Sequence, residues 1–489
     1  MIAVNRFARI RLAWLALIAA VVSLAGCAVP LGPGFHLRGE TVTIHYARRP
    51  VVSAVYYHLQ AEARNVGTRP LDSLRIRAPQ QLALSRAEQA SAGTSRISLT
   101  DGGFSIPLEP PLGQGPWRRI TFGYQIPVRG RTVFLEPQDW FPSFLPPHGI
   151  FVKFVPRAPE TEVAIYVPQG DRALTSGRLR RVRARTGRAG AATEYVFQIR
   201  EKDFPPFLLI GDYDVQKVRA HGQSVFFWTN KPFPSACAQS VASEVVETTG
   251  LYRSYFGRLA ENLGPLRMIE IPASTSKQVP VQPETIPNGV LFSRPSAEVC
   301  RNRGRFYFTL ARALAATWFG WAVRPDPGEG VTLGIGIQDY AALLAAENRN
   351  GSGVRKRQVR DWLAEYDRLS SRAKPLAPAN MDDRPTGDQG RLASVQSALF
   401  FVALEDRLGA ETVRKALRDL VSSLDGSTAG RNELRSALER ESGTNLYALF
   451  NQWLGRAGIP TSFRDRYSAR KSASSLGNDA TLPRSQEDK

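Results

Sequence analysis

The hydrophobic period of this chain changes once, near Pro234, and that change limits the architectures open to it. Upstream, from about residue 40 to residue 228, apolar and polar residues alternate in short runs. They are Glu40 to Tyr46, Val55 to Ala63, Ser73 to Arg77, Ile120 to Ile126, Glu162 to Val167 and Tyr195 to Ile199, parted by Gly, Pro, Asn and Asp. A period of two turns one face of each strand to a core, so this half is expected to be an all-β domain. Downstream, apolar residues recur at helical spacing. Ser235 to Leu263 stops at Gly264-Pro265, Phe306 to Val323 and Val331 to about Ala346 follow, and Leu392 to Leu408 and Ala410 to Leu424 are amphipathic runs parted by Gly409. Glu347 to Lys356 and Ser370 to Arg391 read as loops. With 489 residues, 43% of them hydrophobic, the chain can build two or three cores. The expected class is multidomain, β followed by α+β with a mainly helical C-terminal half.

The first residues carry an address. Arg6, Arg9 and Arg11 precede an apolar run from Leu12 to Leu24, a charged region and a hydrophobic region in the order of a secretory signal. The run is too short for a comfortable membrane span. It ends in Leu24-Ala25-Gly26-Cys27, which resembles the bacterial lipobox, so residues 1–26 are expected to be a signal peptide and Cys27 the lipidated first mature residue. An ordinary signal peptide cleaved nearby, or a short anchor helix, is the alternative. Ala28 stands where an aspartate would retain a lipoprotein at the inner membrane, which favours the periplasmic face of the outer membrane of a bacterial envelope.

The formal net charge is +20, with arginine in large excess over lysine. An exported protein meets few nucleic acids, so lipid head groups or anionic envelope polymers are the expected attraction. The densest source is Arg178-Leu-Arg-Arg-Val-Arg-Ala-Arg-Thr-Gly-Arg188, whose plainest reading is a solvated hairpin edge guarded by charge. Cys237 and Cys300 are the other two cysteines; an oxidising compartment lets them pair, and two buried free thiols are equally compatible with the sequence.

Two segments then carry the reading of function. Arg312-Ala-Leu-Ala-Ala316-Thr-Trp318-Phe319-Gly320 and Leu333-Gly-Ile335-Gly-Ile-Gln-Asp339-Tyr340 resemble the two helices of the aminopeptidase N-like gluzincins, H-E-x-x-H-x-W-F-G and L-N-E-G-F-A-x-Y. The spacing is retained and the chemistry is not. Aligned on Trp318-Phe319-Gly320, the ligand histidines become Arg312 and Ala316, the general-base glutamate becomes Ala313 and the third ligand becomes Ile335. The family tyrosine that stabilises the tetrahedral intermediate falls on Ser394, counted back from Leu408-Gly409. The glutamate that binds a substrate amino terminus falls on Ile286, with Glu284 the nearest carboxylate. All five histidines, His36, His45, His58, His148 and His221, precede this region.

Weaker likenesses extend over most of the chain: the tryptophan-proline stretch between Thr132 and Pro147, Phe204 to Gly211 as the strand that closes the β-domain, Leu251 to Gly257, Arg267 to Pro272, and Phe450 to Pro460. The resemblance implies a saddle-like β-domain over 27–230, a thermolysin-like domain over 231–463 and a polar tail over 464–489. It implies an inactive relative with no metal and no cofactor, which binds a peptide, a protein or an envelope component in the former groove. Arg312, Glu284 and Asp339 are the candidate ligand-binding residues. An ion pair of Arg312 with Asp339 or Glu284 is the structural alternative. Glu329 is the other acid near the site. A hydrolase with a relocated site and a scaffold within a membrane complex are the competing functions.

Overall fold

The computed structural model describes residues 35–468 except 49–52, 66–69, 78–97, 101–102, 116, 129, 131, 136–142, 146–159, 188–189, 201–206, 260–264, 272–288, 294–295, 327 and 382–386. The lipobox, Glu284, Ile286, His148, Trp140 and the tail beyond Ser468 therefore lie outside the described residues.

Strands fill the first half: β1 (Phe35–Ala47), β2 (Ser53–Asn65), β3 (Leu71–Arg77), β4 (Ser98–Thr100), β5 (Gly103–Leu112), β6 (Arg118–Val128), β7 (Thr132–Leu135), β8 (Ser143–Leu145), β9 (Glu160–Pro168), β10 (Arg172–Thr175), β11 (Arg178–Gly187), β12 (Gly190–Arg200), β13 (Leu208–Gly211), β14 (Asp214–Ala220) and β15 (Gln223–Thr229). All six expected runs lie inside these strands. The second half holds α1 (Ser235–Phe256), β16 (Leu266–Glu270), β17 (Gly289–Phe292), α2 (Ser296–Arg301), α3 (Arg303–Ala315), β18 (Val323–Pro325), a π-helical turn (Gly330–Gly336), α4 (Ile337–Asn350), α5 (Gly353–Ser370), α6 (Gly387–Leu408), α7 (Ala410–Leu424), β19 (Ser427–Ala429), α8 (Arg431–Ser442), α9 (Tyr447–Trp453) and α10 (Thr461–Ser468).

The chain forms two compact units. The first contains a six-stranded sheet in the order β11-β12-β9-β1-β2-β6 and a four-stranded sheet in the order β4-β5-β3-β8. Alternation makes its core: Val55, Tyr57, Leu59 and Ala61 of β2 are buried with Val42 and Ile44 of β1 and Val163 and Ile165 of β9. Each buried Val, Leu or Ile among them stabilises the unit by roughly 1.5–3 kcal/mol.

The second unit is residues 207–489 together with 129–134 and 170–178. Its boundary differs from the expected 230/231, and backbone pairing explains why: β13 bonds to β10 and β7, and the β14–β15 hairpin continues into a parallel ladder with β16 and β17. Phe204 to Gly211, expected to close the β-domain, thus places its strand in the second unit.

Helix limits also differ from the sequence reading. α1 ends seven residues before Leu263, because Gly257 takes a φ of 90° that other residues adopt only under strain. The expected loop from Glu347 to Lys356 shrinks to Gly351-Ser352 between α4 and α5. The loop after Ser370 ends at Gly387, where α6 begins. The expected tail starts later, since α10 runs to Ser468 and buries Phe463 against Trp453 at 5.0 Å between ring centres. Cys237 in α1 and Cys300 in α2 are joined by a disulfide. Among the described residues no helix is long and apolar enough to cross a membrane.

Candidate functional site

The last turn of α3 carries the start of the matched motif. Tyr252 of α1 donates to the carbonyl of Ala311 at 3.0 Å, and the Trp318 indole donates to the carbonyl of Gly257 at 2.9 Å. Phe319 packs edge-on against Phe256 at 4.9 Å, and Gln338 donates to the Phe319 carbonyl at 2.6 Å. Trp318 and Phe319 therefore fix the end of α3 to α1 and α4. That role depends on shape and hydrogen bonding and needs no metal.

Two of the matched ligand positions share one turn of helix. The amide of Ala316 donates to the Arg312 carbonyl at 3.3 Å, so the two lie one turn apart on one face. Ala313, Ala316 and Ile335 are buried, Ala313 within the hydrophobic core, and Ser394, also buried, donates its hydroxyl to the Arg391 carbonyl at 2.9 Å. Ile335 sits in the π-helical turn, whose seven residues are all buried. Gly336 closes that turn against α6: a Cβ there would stand 2.4 Å from the Cβ of Ser397.

Charge in this region forms a chain across four helices. Arg312 Nε of α3 is 3.1 Å from Asp339 Oδ1 in the first turn of α4. Arg391 of α6 approaches Asp339 Oδ2 at 3.2 Å and grips Glu365 of α5 with a two-pronged fork, 2.8 Å at each prong. Two guanidinium groups thus face two carboxylates, and the formal charges cancel. Burial lowers the pKa of Arg312 from its ordinary value, Asp339 opposes the shift and Arg391 adds to it. Arg391 is shifted upward: burial acts against its charge, and the carboxylates of Glu365 and Asp339 more than compensate.

Arg391 and Glu365 were not singled out in the sequence. They lie 52 and 26 residues from their partners, beyond the reach of any local spacing rule. Glu329, the other acid flagged near the site, is engaged elsewhere, with Arg431 Nε at 2.5 Å. Burial raises its pKa against the pull of that arginine. Nearer the start of α3, Tyr307, Phe308, Ala346, Val354 and Arg357 line an open cavity of about 690 Å³.

A zinc ion at the matched positions would require nitrogen, oxygen or sulfur donors in tetrahedral array. A guanidinium offers five N–H donors and no acceptor, and alanine and isoleucine carry no side-chain heteroatom. The residues at Arg312, Ala316 and Ile335 do not fit that ion. Among the described residues no three His, Cys, Asp or Glu side chains converge as a metal-binding group.

No protein-family model matches the sequence, and no curated protein does. Solved structures do. An M1 zinc metallopeptidase from Deinococcus radiodurans is 17% identical with a TM-score of 0.57, over 88% of this chain and 95% of that one. A mutant of that organism's M1 zinc metallopeptidase bound to a Tyr-Ser-Ala substrate is 19% identical with a TM-score of 0.57, over 87% and 96%. A two-domain M1 zinc metallopeptidase mutant bound to L-arginine is 18% identical with a TM-score of 0.59, over 87% and 95%. The fold is that of the M1 zinc metallopeptidases. A β-rich N-terminal part and a helical C-terminal half are common to this chain and the M1 fold. At this identity the likeness concerns the M1 fold alone.

Proposed function

We propose that this chain is a lipid-anchored protein of the bacterial envelope whose second unit keeps an M1 peptidase frame and acts by binding a peptide, a protein or an envelope component rather than by hydrolysis. The observation that carries the reading is the pairing of Arg312 with Asp339: a permanent cation stands at the first matched ligand position, and its counter-charge comes from the chain. A site that supplies both charges has no use for a metal to hold its helices together. Ala313 leaves no general base at its matched position, and Ser394 offers a hydroxyl already engaged with the backbone.

The four-helix ion chain also favours a second reading, a structural scaffold within a membrane complex, because it fills the place where a ligand would meet the metal. In that case Arg312 serves the frame, and the open cavity near Tyr307 is a concave surface available to a partner.

The test is compositional and kinetic. Purified protein should contain no stoichiometric zinc and should not turn over aminoacyl reporter substrates. One tightly held zinc per chain, or turnover that survives repurification, overturns the reading. Affinity capture from native membranes with the tagged full chain should recover a reproducible partner, lost when the cavity is blocked by Ala346→Trp.

A further inference from the structure

Among the described residues the strand β11 lies at the edge of the six-stranded sheet, paired only with β12. Its segment Leu179–Gly187 contains Arg180, Arg181, Arg183 and Arg185 and no acid. Arg181 and Arg185 turn to the buried Glu194 of β12, at 3.4 and 3.0 Å. Arg180 and Arg183 are exposed and have no acidic partner among the described residues. Between the arginines stand Leu179 and Val182, 45% and 49% exposed, two of the three large apolar side chains that stand open to solvent among the described residues. They lie on opposite faces of the strand, so the edge is basic and apolar on both sides.

The direction of β11 adds an independent observation. Two residues separate it from β12, too few for the crossover that parallel neighbours need, so the two are antiparallel. β12 is antiparallel to β9, and β9 is parallel to β1. Hence β11 runs with β1, and since Thr161 near the start of β9 stands opposite Glu40, the start of β11 lies level with the middle of β1. Eight residues lead from Cys27 to Phe35, a reach of at most about 28 Å. From Phe35 to the start of β11 the path combines three strand spacings, about 14 Å, with about five residues along β1, about 17 Å, and taken at right angles these stay within that reach.

We propose that the Leu179–Arg185 edge is a docking surface for an anionic phospholipid bilayer, and that it holds the β-unit against the membrane to which Cys27 tethers it. Exposed arginines would meet lipid phosphates, with their aliphatic stems and the two apolar side chains entering the head-group region. One anchor combined with a basic patch attaches more durably than either does alone. The tether rests on the lipidation reading; the exposed edge does not. An extended acidic peptide added as a further strand is the competing occupant, and arginines along an edge disfavour such pairing.

The test uses the full chain carrying Cys27→Ser, sedimented with vesicles of phosphatidylcholine alone or mixed with phosphatidylglycerol. The parent should prefer the anionic vesicles, and Arg180→Gln with Arg183→Gln should weaken that preference about 30-fold, roughly fivefold for each charge. Arg180→Lys with Arg183→Lys should retain it. Leu179→Ser with Val182→Thr should weaken it as well, with thermal melting unchanged in every variant. The proposal is overturned if the parent shows no preference for anionic vesicles, if the glutamine variant binds like the parent, or if an acidic peptide is captured while vesicles are not. Fatty-acid incorporation by the native chain is scored separately, so failure of the anchor and failure of the edge give different results.

Discussion

Asp339 is the residue on which the buried charges depend, since it is shared between Arg312 and Arg391. Asp339→Asn removes one negative charge from two guanidinium groups and is expected to destabilise the protein by about 3–5 kcal/mol. Arg312→Met leaves Asp339 in contact with Arg391 and should cost less. Chemical denaturation of both variants checks the order; an Arg312→Met protein less stable than Asp339→Asn would show that the counter-charge of Arg312 lies elsewhere. In the first unit, burial acts to raise the pKa of Glu194, but hydrogen bonds from Tyr166 and Arg185 and the charge of Arg181 hold it below the ordinary value of 4.5. A carboxylate depressed on folding contributes stability at neutral pH, and that contribution fades as the pH falls from about 4.5 through the lower folded value. Glu194→Gln should flatten this acid limb, measured as melting temperature against pH, and an unchanged limb would assign the acid sensitivity to other groups. Arg312 and Asp339 were both legible in the sequence because a known motif marked their positions. Arg391 and Glu365 were not, because their link to Asp339 exists only once α4, α5 and α6 are packed.

Among the elements, the π-helical turn is one that sequence periodicity misses. Val331 to Ala346 reads as one amphipathic helix, yet its first part is wound as a wider turn and only Ile337–Asn350 is regular. Gly336 within it meets the Cβ of Ser397 so closely that a side chain there would force α6 to shift. Gly336→Ala should destabilise by about 1–3 kcal/mol through overpacking, and Ser397→Gly in the same chain should restore part of the loss. A double variant no more stable than Gly336→Ala would show that the strain falls on the backbone and not on that contact. Strands were easier to foresee than helix ends, because alternation over five or more residues survives any choice of boundary. The end of α1 turned on the conformation of Gly257 alone. The early start of α6 likewise follows from tertiary packing of Gly390 and Leu392, both buried, within a stretch whose composition suggests a loop.

At the scale of the whole molecule, the likeness to the M1 fold extends over nearly nine-tenths of the chain at 17–19% identity. A handful of aromatic and glycine positions made that architecture legible, while the division at residues 206/207 depended on pairings between strands far apart in sequence. Replacing Cys27 with Ser should abolish incorporation of labelled fatty acid and release the protein from membranes at high salt; retained label would relocate the anchor. The Cys237–Cys300 bridge closes a stretch of 63 residues that includes β16, β17 and the segment 272–288. A protease that cuts anywhere inside this stretch leaves two fragments still covalently joined. Nicked protein should therefore migrate as one species in a non-reducing gel and as two after reduction, and a chain clipped once by a protease would stay in one piece until its disulfide was reduced.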